Sequence, residues 1–194
     1  VRPADVDMVA DSVRNLQGPM AEANLNIGTA PSETLQLSGN VYARGREGAD
    51  TYVFDRETLG FAVVQMDRGD RVMERGAGAG TVGLLRDDAN NRHDWQLGRL
   101  DPTRAKDGKY SLDAWVPLSG DNEIVSDLLL TFEKTRADGS VFTSYLVLAD
   151  VMGANGTFFD RFFDSTSRLD GWLGSNNKPV IGTMVADRLT TTYT

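Results

Sequence analysis

The residue types that usually carry catalysis are scarce in this chain. It has one histidine, His93, and no cysteine among 194 residues, which removes thiolate chemistry and leaves one imidazole for acid–base or metal work. His93 stands next to Asp94, but neighbours on an extended chain point to opposite sides. No G-x-S-x-G elbow accompanies them, so we expect His93 to be a polar loop residue. Gly78-Ala79-Gly80-Thr81-Val82-Gly83 spells G-x-G-x-x-G, a pattern that lets backbone close on a pyrophosphate between a strand and a helix. The flanking residues refuse that context. Asp70 to Arg75 is too charged for a central parallel strand, and Leu84-Leu85 runs into Asp87-Asp88-Ala89-Asn90-Asn91 without a crossover helix. Gly76 to Gly83 is therefore expected to be an irregular connection without a nucleotide.

Other short patterns fare similarly. Ser175-Asn176-Asn177-Lys178 fits S-x-x-K, yet the companion S-D-N and K-T-G elements are missing. Asp87, Asp88, Asn90, Asn91 and Asp94 offer oxygen ligands for calcium but lack the EF-hand order; a solvated turn is the expectation, since Asp and Asn favour turns for backbone reasons. Arg68-Gly69-Asp70 and the sequon Asn155-Gly156-Thr157 fall where turns are expected. The 28 acidic residues leave open a carboxylate pair of the glycosidase kind. We expect no catalytic residue, no cofactor and no metal, and the chain is read as a non-enzyme.

The elements around these motifs read as mainly β: an antiparallel sandwich or barrel with a short N-terminal helix and a C-terminal helical segment. Its 194 residues suit a single domain. Residues 3 to 17 carry the helix, with Pro3 in the first turn, Asp5 and Asp7 at the positive end of the dipole, and Val6, Val9, Val13 and Leu16 on one stripe. Gly18-Pro19 ends it. Period-two segments follow at Thr34 to Ala43, Thr51 to Asp55, Leu59 to Asp67, Asp70 to Glu74, Thr81 to Arg86 and Tyr110 to Pro117, within a β core spanning 34–152. The strongest hairpin lies in 124–152: Ile124 to Lys134 and Ser140 to Met152 flank Ala137-Asp138-Gly139, where Asp-Gly supplies the positive φ of a tight turn. Leu128, Leu130 and Phe132 share one face, opposite Asp127, Leu129, Thr131 and Glu133. An eleven-residue arm at ~3.3 Å per residue reaches roughly 35 Å, enough to project beyond its own core.

Residues 157–174 gather Phe158, Phe159, Phe162, Phe163 and Trp172, five of the chain's 16 aromatic residues, at helical spacings. A closing strand over 179–194 follows, centred on Val180 to Leu189. No internal repeat is apparent. The order of hairpin, helix and closing strand is similar in outline to phage tail-tube subunits and viral coat sandwiches, an analogy of architecture that transfers no residues.

A formal charge of −8 spread along the chain repels phosphate backbones, and no apolar run approaches the ~18 residues of a membrane span. Direct nucleic-acid binding and membrane insertion are not expected. VRPADVDMVA lacks the basic and apolar regions of a signal peptide, and localisation stays open, with a virion or extracellular assembly favoured. The function expected is a self-assembling structural subunit of a homo-oligomeric particle, foremost a virus or phage virion protein of coat or tail-tube type. Its partners would be copies of itself and other particle proteins. Interface candidates are Val6, Val9, Val13, Leu16, Asp138, Gly139, Phe158, Phe162 and Trp172. The alternative is an extracellular β-sandwich or barrel binding a carbohydrate or small ligand, with Trp95, Trp115 and Tyr110 as stacking faces.

Overall fold

A computed structural model describes residues 15–67, 70–75, 82–83, 88–117 and 126–151. Among them the chain is mainly β, with nine strands: β1 (Leu25–Ile27), β2 (Thr34–Arg44), β3 (Thr51–Gln65), β4 (Arg71–Arg75), β5 (Val82–Gly83), β6 (Asn91–Leu100), β7 (Trp115–Pro117), β8 (Asp127–Thr135) and β9 (Val141–Ala149). They hydrogen-bond in the order β1-β2-β3-β9-β8-β6-β7, with β4 on β3 and β5 on β4.

The antiparallel expectation needs correction for part of this sheet. β6–β7, β6–β8, β8–β9 and β4–β5 are antiparallel, but β1–β2, β2–β3, β3–β4 and β3–β9 run parallel. Only six residues, 45–50, link β2 to its parallel neighbour β3, far short of the dozen or more that a crossover requires. The strands solve this by doubling back on themselves. Eleven straight residues of β2 would span roughly 36 Å. Instead the Glu33 N–H donates to Asp50 Oδ1 (2.7 Å), while a Cβ on Gly45 would lie only 2.7 Å from the Asp50 Cβ. Both ends of β2 thus meet at Asp50. The bend falls at Gly39, where φ is +65° and the register with β3 shifts on either side. Asn40 Oδ1 holds it against β3 by accepting from Phe61 N–H (2.9 Å).

β3 bends likewise. The Glu57 N–H donates to Asp55 Oδ1 (2.9 Å) and the Thr58 hydroxyl to the Asp55 carbonyl (3.3 Å), so a local turn replaces the ladder there. What reads in sequence as two strands, Thr51 to Asp55 and Leu59 to Asp67, is one bent strand. Each bent strand forms an arch, and the arches stack: 34–37 pairs with 51–54, and 41–43 with 62–64. Alternation along the arms turns Leu35, Leu37, Val41, Ala43, Tyr52, Phe54, Ala62 and Val64 to the inside, where they meet Leu128, Leu130, Phe132, Leu146 and Leu148. Phe54 and Phe132 lie 5.1 Å apart, ring centre to ring centre.

Phe61, Val63, Leu129, Val147 and Ala149 face the other way, into a second cluster with Leu16, Met20, Leu100, Tyr110, Ala114 and Trp115. Arms buried on both faces read as apolar runs instead of alternating patterns. The Tyr110 hydroxyl donates to the Leu16 carbonyl (2.6 Å), fastening residues 15–20 over the sheet.

Several boundaries shift. The predicted helix over 3–17 lies outside the described residues except for 15–17, which form a turn begun by Asn15 at φ +49°. Tyr110 to Pro117 is a short 3-10 turn, Leu112–Ala114, followed by β7. β1 and β6 escaped the sequence reading, β6 because its Asn, Arg, His and Asp residues resemble a loop. The hairpin matches in place and facing, since Leu128, Leu130 and Phe132 enter the first cluster and Leu129 the second. It does not project. β6 runs beside β8 as far as the Asn91↔Lys134 pair, so the arm is part of the sheet. The segments 157–174 and 179–194 lie outside the described residues.

Candidate functional site

Stacking the arches brings acidic residues into line. Thr34 pairs with Thr51, and Thr51 with Arg71, so the preceding residues Glu33, Asp50 and Asp70 follow one another at the open end of the arches. Each carboxylate takes the main-chain N–H of an earlier turn. Glu33 Oε2 accepts from Thr29 N–H (2.7 Å), Asp50 Oδ1 from Glu33 N–H (2.7 Å), and Asp70 Oδ1 from Asp50 N–H (3.0 Å). Asp70 Oδ2 also accepts from Asp67 N–H (2.9 Å) and from the Tyr52 hydroxyl (3.4 Å). Short acidic side chains do this because a loop has no ladder partner for its N–H groups.

The electrostatics are one-sided. Asp50 and Asp70 are both 0% exposed. Burial pushes the Asp70 carboxyl up to about 6, against the two N–H donors that favour its charge and with Asp50 and Asp67 adding repulsion. Asp67 is raised by burial, lowered by Arg44 and raised again by Asp50. Burial, and next the Asp70 charge, hold the Tyr52 phenol protonated far above its usual range, so its hydroxyl stays a donor. At the rim, Arg44 Nε lies 3.8 Å from Asp67 Oδ2.

Asp50 Oδ2 is buried without a hydrogen-bond partner. It presses on Gly45, where a Cβ would come within 1.8 Å of it. Gly45 N–H in turn donates to the Tyr52 hydroxyl (2.7 Å). Asp50 and Tyr52 therefore converge on the bare backbone of Gly45, and Asp70 reaches them through the Tyr52 hydroxyl and the Asp50 N–H. Among the described residues, no group of three or more His, Asp or Glu side chains is placed to hold a metal ion.

At the opposite end of the arches, Arg56 is buried and ties three strands together. Its Nε and Nη2 hold Glu74 on β4 (2.5 and 3.2 Å), its Nη1 donates to the Arg92 carbonyl on β6 (3.0 Å), and its guanidinium lies 5.0 Å above the Phe132 ring on β8. A planar fork with an aromatic beneath it suits Arg and not Lys. This grouping is structural.

A third feature is an open edge. β9 pairs with β3 only from Tyr145 onward, because β3 turns away at its bend. The turn of the hairpin closes with Arg136 N–H on the Ser140 carbonyl (2.8 Å). Alternation from that pair aims the main-chain groups of Val141 and Thr143 away from β8. Among the described residues no strand pairs with them on that side, and the Val141 side chain is 60% exposed.

The residues picked out from sequence scatter. Leu16 is buried within the chain, in the second cluster, which removes it from the described surface. Asp138 and Gly139 do form the exposed turn. Gly139 has φ +84°, and Asp138 Oδ1 accepts from the Ser140 hydroxyl and N–H (2.6 and 2.9 Å), which hold its carboxyl below the usual range. Val6, Val9, Val13, Phe158, Phe162 and Trp172 lie outside the described residues, as do Gly76 to Thr81, Asn155 and Ser175 to Lys178. His93 is not in a loop but on β6, buried against Phe132, with Asp94 exposed on the other face. Asp88 spends its oxygens capping Asn90 and Asn91. Asp70 is buried, so it cannot be displayed as part of an Arg-Gly-Asp tip.

Trp95, Trp115 and Tyr110 do not share a face. Trp95 packs against the first cluster, while Trp115 and Tyr110 lie buried in the second. They offer no common stacking platform.

The carboxylate ladder was missed, though a trace of it is written in the chain. Glu33-Thr34-Leu35-Gln36-Leu37, Asp50-Thr51-Tyr52-Val53-Phe54 and Asp70-Arg71-Val72 repeat an acid before an alternating strand, at separations of 17 and 20 residues. Unequal spacing hid the repeat, because the two bends differ in length. Compared with protein-family models, with curated proteins and with solved structures, the chain finds no match in any of the three.

Proposed function

We propose that this chain is a self-assembling structural subunit of a homo-oligomeric particle, with a virus or phage virion protein of coat or tail-tube type as the leading context. The observation that carries the reading is the open half of β9. Unpaired strand edges are usually blunted or covered, and this one presents main-chain groups that no strand pairs among the described residues, beside an exposed Val141 and the Arg136–Ser140 turn. A neighbouring copy that adds a strand there would satisfy them. In this reading, a helix ahead of Asn15 and one over 157–174 complete the subunit and reach neighbouring copies. The functional groups found in the described residues also suit construction better than turnover: the buried carboxylates cap turns, Arg56 clamps strands, and His93 packs on an aromatic ring.

Light scattering and negative-stain microscopy of the full chain at micromolar concentration test this. Rings, tubes or shells are expected, with masses that are multiples of 21.2 kDa. Thr143→Pro removes an N–H that faces away from β8, a position where a strand tolerates proline. It should leave the circular dichroism unchanged and cut the assembled fraction at least tenfold. A wild-type protein that stays at the subunit mass overturns the self-assembly reading, and a Thr143→Pro protein that assembles normally removes the edge from it.

A further inference from the structure

We propose that the strand taken up by the open edge of β9 is formed by residues 180–189 of a neighbouring copy. The inference rests on the assembly reading and names the part of the partner that does the pairing. The edge is short and bounded. β9 runs from Val141 to Ala149, and β3 holds it from the Phe61↔Tyr145 pair onward. At Gly60 β3 is drawn off toward β2, so close to Asn40 Oδ1 that a Cβ there has no room. That leaves 141–144, about 13 Å of strand at ~3.3 Å per residue, with the main-chain groups of Val141 and Thr143 facing out. On the outer edge of β2 a side chain covers such a group, the Asn26 amide donating to the Gln36 carbonyl (3.0 Å). β9 has no equivalent cover among the described residues.

The shape of this notch decides against a second β9. Two copies paired antiparallel about 142–143 would set the partner's Ser140 opposite Tyr145, the place already held by Phe61. Sliding the pair outward brings in turn residues, which are engaged with one another through Gly139 N–H on the Arg136 carbonyl (2.9 Å) and Arg136 N–H on the Ser140 carbonyl (2.8 Å). A single strand on long connections escapes this clash. Outside the described sheet, 180–189 has the composition for it: Val180, Ile181, Thr183, Met184, Val185 and Leu189, with charge only at Asp187 and Arg188. Alternation groups Ile181, Thr183 and Val185, a β-branched set suited to lie beside Val141 and Thr143. It groups the small Gly182 and Ala186 for the other face, where Phe142 is half-buried under the Arg136 guanidinium (4.9 Å). A chain that closed its own notch would have no edge left to join copies, so under the assembly reading the strand comes from a neighbour.

The chain has no cysteine, so engineered ones report pairing cleanly. Thr143→Cys chains are co-expressed with chains carrying one cysteine at each position from 180 to 189 in turn, the particles are oxidised mildly, and disulfides are identified by peptide mass. Interchain disulfides are expected from alternate positions, about fivefold more than from the positions between, because a strand presents every second side chain on one face. A synthetic peptide of residues 179–194, in roughly hundredfold excess during assembly, should cut the assembled fraction about tenfold, and a scrambled peptide should not. Particles that form without any of these disulfides overturn the proposal and leave self-assembly standing. Disulfides between two Thr143→Cys chains, which report β9 on β9, do the same, as does a peptide no better than its scramble. Both cysteines placed in one chain that close on each other within that chain overturn it too. Absence of particles removes the assembly reading and this inference together.

Discussion

Replacing Arg56 by Ala tests whether the far end of the arches is held by one buried ion pair. The two side chains are 2% and 14% exposed, so solvent screens the pair little. Deleting one partner of a buried pair costs about 3–5 kcal/mol, chiefly because the other charge remains in place without its counter-ion. Here the removal also takes away the donor to the Arg92 carbonyl and the cation above Phe132; these share one side chain and are not separate additions. A loss near 4 kcal/mol should lower Tm by roughly 8–16 °C for a chain of this size. The assay is urea unfolding followed by tryptophan fluorescence, run as a double-mutant cycle with Glu74→Gln. Arg56→Met with Glu74→Leu fills similar volume with apolar groups and should recover most of the loss. An Arg56→Ala protein within 1 kcal/mol of the wild type would refute the clamp, as would a paired replacement no better than the single one.

Asp70 gives the protein a pH dependence of definite sign. Its carboxyl is raised from 3.8 to about 6 in the folded state, chiefly by burial, so its contribution to stability is fully present below the unfolded value and is lost as pH rises through about 6. The urea midpoint should fall between about pH 4 and pH 7, and Asp70→Asn, less stable at low pH, should flatten that fall; a midpoint that rises over the range through this residue would contradict the burial argument. Tyr110→Phe removes the 2.6 Å bond to the Leu16 carbonyl and should cost about 1–2 kcal/mol, with faster amide exchange in residues 15–20 as its local signature.

Local sequence determined the β class and the hairpin β8–β9, because both rest on short-range physics. Alternating Leu128, Leu130 and Phe132 choose one face of a strand whatever surrounds them, and Asp138-Gly139 chooses a tight turn by its own backbone preference. Strand direction was a different matter. Whether β2 meets β3 parallel or antiparallel depends on the bend at Gly39, where one glycine at positive φ reverses the path of a strand that looks continuous in sequence. Asp50 shows the same division. Its place before an alternating segment marks a turn, but its neighbours Glu33, Asp67 and Asp70 come from other turns and are brought to it by register. Burial of His93 depended on β6 gaining β8 as a partner, which outweighed a polar composition suited to a loop. Side-chain alternation and turn chemistry act over a few residues and are legible in the chain itself. Register, burial and the gathering of like charges are properties of pairing between distant segments, and only the folded sheet decides them.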